Sequence, residues 1–127
     1  MIKLITIGLG GFIGSVLRYL MSGAVQSLSR SISFPWGTFA VNLIGCFSIG
    51  FLSHLSETRG LFAESSRAFV FIGLLGGFTT FSAFSNETFN LLRDGETGLA
   101  LLNIGGQVIL CLGLVWLGRA VAYGIWR

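Results

Sequence analysis

Four apolar stretches, each long enough to cross a bilayer, leave this chain almost no other fold. They run from about Leu4 to Val25, Gly37 to Leu55, Ala68 to Leu92 and Gly98 to Ile125. A membrane-spanning helix needs about 20 mostly apolar residues. The breaks between them, Gln26 to Pro35, Ser56 to Arg67 and Arg93 to Thr97, are short and polar. Only 10% of the 127 residues are charged and 53% are hydrophobic, whereas a soluble domain carries about a quarter charged residues. The expected fold is an all-α membrane protein of four transmembrane helices, a single domain over residues 1–127. Lys3 precedes an apolar run, as in a signal peptide. No clear cleavage site follows it and three more apolar stretches do, so the first stretch is read as a membrane helix. The net charge of +3 calls for no nucleic-acid partner, because basic residues at helix ends are ordinary in membrane proteins. Four helices are few to enclose a path, so an oligomer is expected.

The third stretch is the least like a lipid-facing helix. It contains Gly76-Gly77-Phe78-Thr79-Thr80-Phe81-Ser82-Ala83-Phe84-Ser85. Adjacent glycines weaken a helix by roughly 1 kcal/mol each relative to alanine. The threonines and serines that follow bond to nearby backbone and loosen it further. Freed backbone groups at membrane depth are tolerated only inside protein or beside a water-filled cavity. This run is therefore expected to be a helix broken in mid-membrane, with its carbonyls and ring edges aimed at an ion path. Phe81 and Phe84 share one face. Phenylalanine has a positive ring edge and a negative face, so edges turned inward would favour a small anion. Core packing is the ordinary reading of such a pair; the polar, breakable surroundings set this one apart.

Other polar residues fall inside the apolar stretches. Arg18 lies in the first, either snorkelling to the interface or attracting anions to a vestibule. Thr38, Asn42 and Cys46 form one stripe on the second, at i, i+4 spacing. Asn42 offers amide donors that can replace water around an anion, or it can hydrogen-bond a neighbouring helix. Asn103, Gln107 and Cys111 repeat every fourth residue in the last stretch, as a ladder of donors along a pore or as glue between helices. Glu87 shares a face with Thr80 and Phe84; an intramembrane carboxylate is a functional candidate, unless it lies near the interface and is merely solvated. His54 is read as an interfacial bystander. Gly10 and Gly14 form a small-xxx-small pair that brings backbones close, and Gly45, Gly50, Gly105, Gly106 and Gly113 are read the same way. Cys46 and Cys111 lack metal-ligand spacing, and no phosphate loop, metal cluster or nucleophile–histidine set appears, so enzymatic activity is not expected.

Charge orients the chain only weakly. If both termini share a side, that side carries Lys3, Arg59, Arg67, Arg119 and Arg127 together with Glu57 and Glu64. The other carries Arg30 and Arg93, with Arg18 near it. So mild a bias permits insertion both ways round; a single orientation with a shallow signal fits the count equally.

These features resemble the small bacterial fluoride-channel family (Fluc, also called CrcB) over nearly the whole chain. The resemblance rests on Gly8 to Arg18, with its Gly10-Gly11 and Leu17-Arg18, on Gly37-Thr38 leading to Val41-Asn42-Leu43, and above all on Gly76 to Glu87. It implies a passive, fluoride-selective channel exporting fluoride across the bacterial inner membrane. It implies an antiparallel homodimer of dual topology with two pores along the subunit interface. Phe81 and Phe84 would supply pore-lining ring edges, and Asn42 a fluoride ligand. A structural sodium ion would be held by the Gly76 and Thr79 carbonyls of each subunit. Thr38, Thr80, Ser85, Asn103, Gln107 and Arg18 complete the candidate pore residues, while the roles of Glu87 and Cys111 stay open. The polar track of the last stretch departs from the family's usual hydroxyl, phenol or imidazole groups, and Ala83 stands where a hydroxyl or other small residue is usual. Two other classes remain. A small four-helix proton-coupled multidrug exporter would carry a carboxylate in its first helix, where this chain has only Arg18. A non-transporting scaffold would use the glycines and amides for packing alone.

Overall fold

Residues 1–60 and 62–126 are described by a computed structural model; Arg127, counted above among the charges of one end, lies outside them. Helix α1 spans Ile2–Ser29 and α2 spans Trp36–Arg59. The third stretch is composite: α3 (Glu64–Arg67), a π-helical segment (Ala68–Leu75), α4 (Gly76–Phe78) and α5 (Phe81–Arg93). Helix α6, Thr97–Ile125, closes the chain. The four stretches are long and apolar enough to cross a membrane, and the fold is all-α. Pro35 stands just before the first turn of α2, where its missing N–H removes no helical bond. Gly60 and Gly95 follow α2 and α5 with φ of 59° and 80°, a left-handed backbone that side chains disfavour.

Thr79 and Thr80 lie between α4 and α5 with extended backbones, φ −84° and ψ 158° at the first and φ −151° and ψ 116° at the second. Gly76 and Gly77, the residues singled out as weakening the helix, remain helical. Their lack of side chains serves a different end. A Cβ on Gly77 would stand 2.6 Å from the Gly11 carbonyl oxygen, so this glycine lets α4 lie directly on α1.

The bundle is built from parallel pairs. Helix α1 runs alongside the first half of the third stretch, from the Lys3–Glu64 ion pair at 2.7 Å to Gly14, whose missing Cβ makes room for the Leu74 carbonyl and the Phe78 amide. Helix α2 runs alongside α6, from Asn42 and Gln107, bonded at 2.7 Å, to Arg59, which donates to the Trp126 carbonyl at 3.0 Å. Gly50 admits the Val115 carbonyl and Gly118 the Phe47 carbonyl, and Gly45 admits the Thr79 methyl group. Gly106 is tight against the Phe39 ring. Within the chain, Gly105 and Gly113 have no atom of another element among the described residues within 4 Å of where their Cβ would be. Gly113 is exposed and Gly105 half-buried.

Burial is inverted relative to a soluble protein. Ile109 is 70% exposed and Phe12 70%, while Asn103 is completely buried and Gln107 only 5% exposed. In hydrocarbon the apolar side chains need no shelter, and the polar groups must find one another.

Candidate functional site

The site begins where the helix gives way. The Thr80 amide, which would have closed a helical bond onto the Gly76 carbonyl, donates instead to Asn42 Oδ1 at 2.9 Å. Asn42 Nδ2 returns a bond to the Thr80 carbonyl at 3.1 Å. A side chain on α2 thus takes the place of a neighbouring β-strand, pairing both backbone groups of one extended residue. The Thr80 hydroxyl then caps α5 by accepting from the Ala83 amide at 3.2 Å, which removes the helical donor for the Thr79 carbonyl. As a result, the donors that ordinary helix would direct at the Gly76 and Thr79 carbonyls are both engaged elsewhere.

A continuous chain of hydrogen bonds leads away from this clamp. Asn42 Nδ2 also donates to Gln107 Oε1 at 2.7 Å, and Gln107 Nε2 donates to Asn103 Oδ1 at 3.1 Å. Asn103 Nδ2 donates to Thr88 Oγ1 at 2.9 Å, and that hydroxyl donates to the Phe84 carbonyl at 2.7 Å. The path starts at the Thr80 amide and ends at Phe84, bracketing the first turn of α5, which carries Phe81 and Phe84. The carboxamides of Asn42, Gln107 and Asn103 are therefore bonded to one another in this structure. Buried amides without partners each cost about 1–3 kcal/mol, so the closed path fixes how α2, α5 and α6 meet.

Phe81 and Phe84 sit on this framed turn with ring centroids 5.3 Å apart and planes tilted by 52°. They differ sharply in exposure, Phe81 at 78% and Phe84 at 8%. Both line a cavity of about 460 Å³ that opens on the surface of the chain. Asn42, Thr79, Thr80, Gln107, Gly76 and Cys111 share its wall. The interrupted backbone, the clamp and the aromatic pair thus converge on one apolar-walled opening.

Comparison with known proteins bears on this arrangement directly. Residues 5–119 match the sequence profile of the family described as "CrcB-like protein, Camphor Resistance (CrcB)". The chain belongs to the CrcB-like family. Among the relatives of this CrcB-like chain is the "Fluoride-specific ion channel FluC" of Opitutus terrae, 50% identical over 94% of this chain and 91% of that protein. A protein of the same name from Geobacter sulfurreducens is 47% identical over 96% of this chain and 98% of its own length. "Fluoride-specific ion channel FluC 3" of Methanosarcina barkeri is 41% identical, with 98% and 93% covered.

Not every candidate of the CrcB-like chain reaches this cavity. Thr38 donates to Glu87 Oε1 at 2.6 Å, and the two line a second cavity of about 690 Å³ with Gln26, Asp94 and Glu96. The other carboxylate oxygen, Glu87 Oε2, is buried with no hydrogen-bond partner among the described residues. Ser85 is exposed and donates to the Phe81 carbonyl at 2.9 Å. Arg18 is half-buried on α1 and lines neither cavity. His54 and Tyr123 meet in a T-shaped pair with ring centroids 5.9 Å apart. Sequence reasoning passed over Thr88, which closes the hydrogen-bond path, although its i+4 spacing from Phe84 and i+8 from Thr80 was the signal that could have found it. It also passed over Gln26, which ties the α1–α2 connection by donating to the Ser31 carbonyl at 2.7 Å and accepting from the Gly37 amide at 3.0 Å.

Proposed function

We propose that this chain is a fluoride-specific channel, multi-pass in the bacterial inner membrane, through which fluoride leaves the cytoplasm down its gradient. The reading is carried by one observation: Asn42 holds the backbone open at Thr80 while Phe81 and Phe84 stand on the wall of the adjoining cavity. Fluoride is small and strongly hydrated, so a narrow path must offer donors and positive edges in place of water. The exposed Phe81 ring and the Asn42 amide are the groups best placed to do so. For Asn42 to donate to the ion, its bond to Gln107 must open, and Gln107 can then turn to Asn103 alone. The relatives named as fluoride-specific ion channels support the choice of ion.

The functional unit we infer is an antiparallel homodimer of dual topology, with the third helix broken near mid-membrane and two paths along the subunit interface. Several features support it. The cavity is open on one side, as a half-corridor completed by a second copy would be. Lys and Arg are only mildly unequal between the two ends, which leaves little preference for one orientation. A two-fold axis past the break would bring the Gly76 and Thr79 carbonyls of both copies together. Their missing helical donors make them suitable oxygen ligands for a hard cation, and a structural sodium ion is the group we infer there. When bound, the ion would supply a fixed positive charge beside the two paths.

Purified protein in liposomes loaded with fluoride tests the reading. We expect rapid fluoride release, far slower chloride release, and loss of function when sodium is removed throughout. Equal release of chloride, or no fluoride release, would refute the proposed function.

A further inference from the structure

Cys46 and Cys111 take no part in the hydrogen-bond path, yet they meet in the same cavity. Both line its wall, and both are free and half-buried. Register explains why. Helices α2 and α6 run in parallel and are tied at Asn42–Gln107, 2.7 Å apart. They are tied again where Gly50 admits the Val115 carbonyl. Cys46 stands one turn from both Asn42 and Gly50, and Cys111 one turn from both Gln107 and Val115. The thiol pair is the middle rung of this ladder, held from above and below.

We propose that Cys46 and Cys111 form a two-sulfur binding site for a soft cation in linear coordination, the class that includes Hg(II), and that a cation held there closes the path. Thiolates select soft metals, while carboxylates and carbonyls suit hard ones. No cluster of three or more His, Cys, Asp or Glu that could hold a metal occurs among the described residues, so a four-ligand zinc site is not available. Two sulfurs on facing helices are what a linear ion requires. Charge favours a divalent ion, because Hg(II) displaces one proton from each thiol and leaves a neutral bis-thiolate. A neutral centre suits a wall that also includes Ile49, Val108 and Leu112. The closing of the path rests on the channel reading above; the binding does not.

Purified protein is titrated with Hg(II) in two arms, one without added thiol for protons released and thiolate–mercury absorption, and one with excess monothiol for metal retained per chain. Fluoride release is measured in parallel. Two thiols on one frame should hold the ion about a hundredfold or more tighter than either alone. We expect one mercury per chain and two protons released per metal. Cys46→Ser and Cys111→Ser should each lose retention. Metal should slow fluoride release of the parent chain but not of either variant, each measured against its own metal-free rate. Two mercury ions bound independently per chain, or full retention by either variant, would overturn the paired site. Retention without slowing overturns the closure. Absence of fluoride release from metal-free protein counts against the channel reading instead, and retention still decides the site.

Discussion

Helix α1 and helix α2 each hold a neighbour in this bundle, and only α2 adds buried hydrogen bonds to close packing. Along α1 the contact is backbone on backbone. Gly10, Gly11 and Gly14 face Gly73, Leu74 and Gly77, and the closest approaches involve carbonyl oxygens and amides of the third stretch. Along α2 the glycine contacts at Gly50 and Gly118 are joined by side-chain ties, Asn42 to Thr80 and Gln107, and onward through Asn103 and Thr88. Beyond the Lys3–Glu64 ion pair at its end, the first seam is close-packed backbone with no room for another atom at Gly10, Gly14 or Gly77. The second has space beside it, in the 460 Å³ cavity, but every polar member depends on the next. Hydrocarbon explains the division: with no water to drive association, helices gain from close packing or from hydrogen bonds. This chain relies on proximity along α1 and adds pairing to proximity along α2.

The sharpest way to break that contrast is to add volume to the first seam. Gly14→Val should cost about 3 kcal/mol or more, since its Cβ alone would overlap the Leu74 carbonyl, and should abolish a monodisperse peak in size-exclusion chromatography. Asn42→Ala should come next, because it strands the Thr80 amide, the Thr80 carbonyl and Gln107. A loss of about 2–4 kcal/mol in stability is expected, with fluoride release falling about a hundredfold; a variant that releases fluoride normally would show that the clamp is dispensable. Phe81→Ile separates function from packing, since this ring is 78% exposed. Assembly should survive unchanged while release falls about tenfold or more. Thr88→Val tests the far end of the path, and about 1 kcal/mol of stability should be lost with a smaller drop in release. Gly8→Ala should do least, because nothing lies within 4 Å of its added Cβ. Thermal unfolding should move by less than about 1 kcal/mol, toward stabilisation.

Much of the first seam was legible in the sequence, and less of the second. Length and apolar content are local properties, so the four spans could be read directly. Gly10 and Gly14 announced themselves by spacing. Gly105 and Gly113 make no such contact within the chain because which face of α6 meets α2 is decided by both helices together, where Gly106 meets the Phe39 ring and Gly50 the Val115 carbonyl. Within the run Gly76–Ser85 the extended residues are Thr79 and Thr80 and not the glycines, for a similar reason. Helix propensity marks where a backbone is weak, but the backbone opened where Asn42, 38 residues earlier, could receive it. The repeat of Asn103 and Gln107 gave a face and a period. It could not say that the partners on that face would be each other, Asn42 and Thr88.

The Asn42–Thr80 pairing also constrains how the chain matures. During synthesis α2 enters the bilayer before the third stretch emerges, so the amide that will receive the bare peptide groups of Thr80 is already at depth. Gln107 arrives last, on the final helix. Until then Asn42 can greet the opened backbone but has no anchor behind it, and a nascent chain halted after α5 would hold this junction half latched.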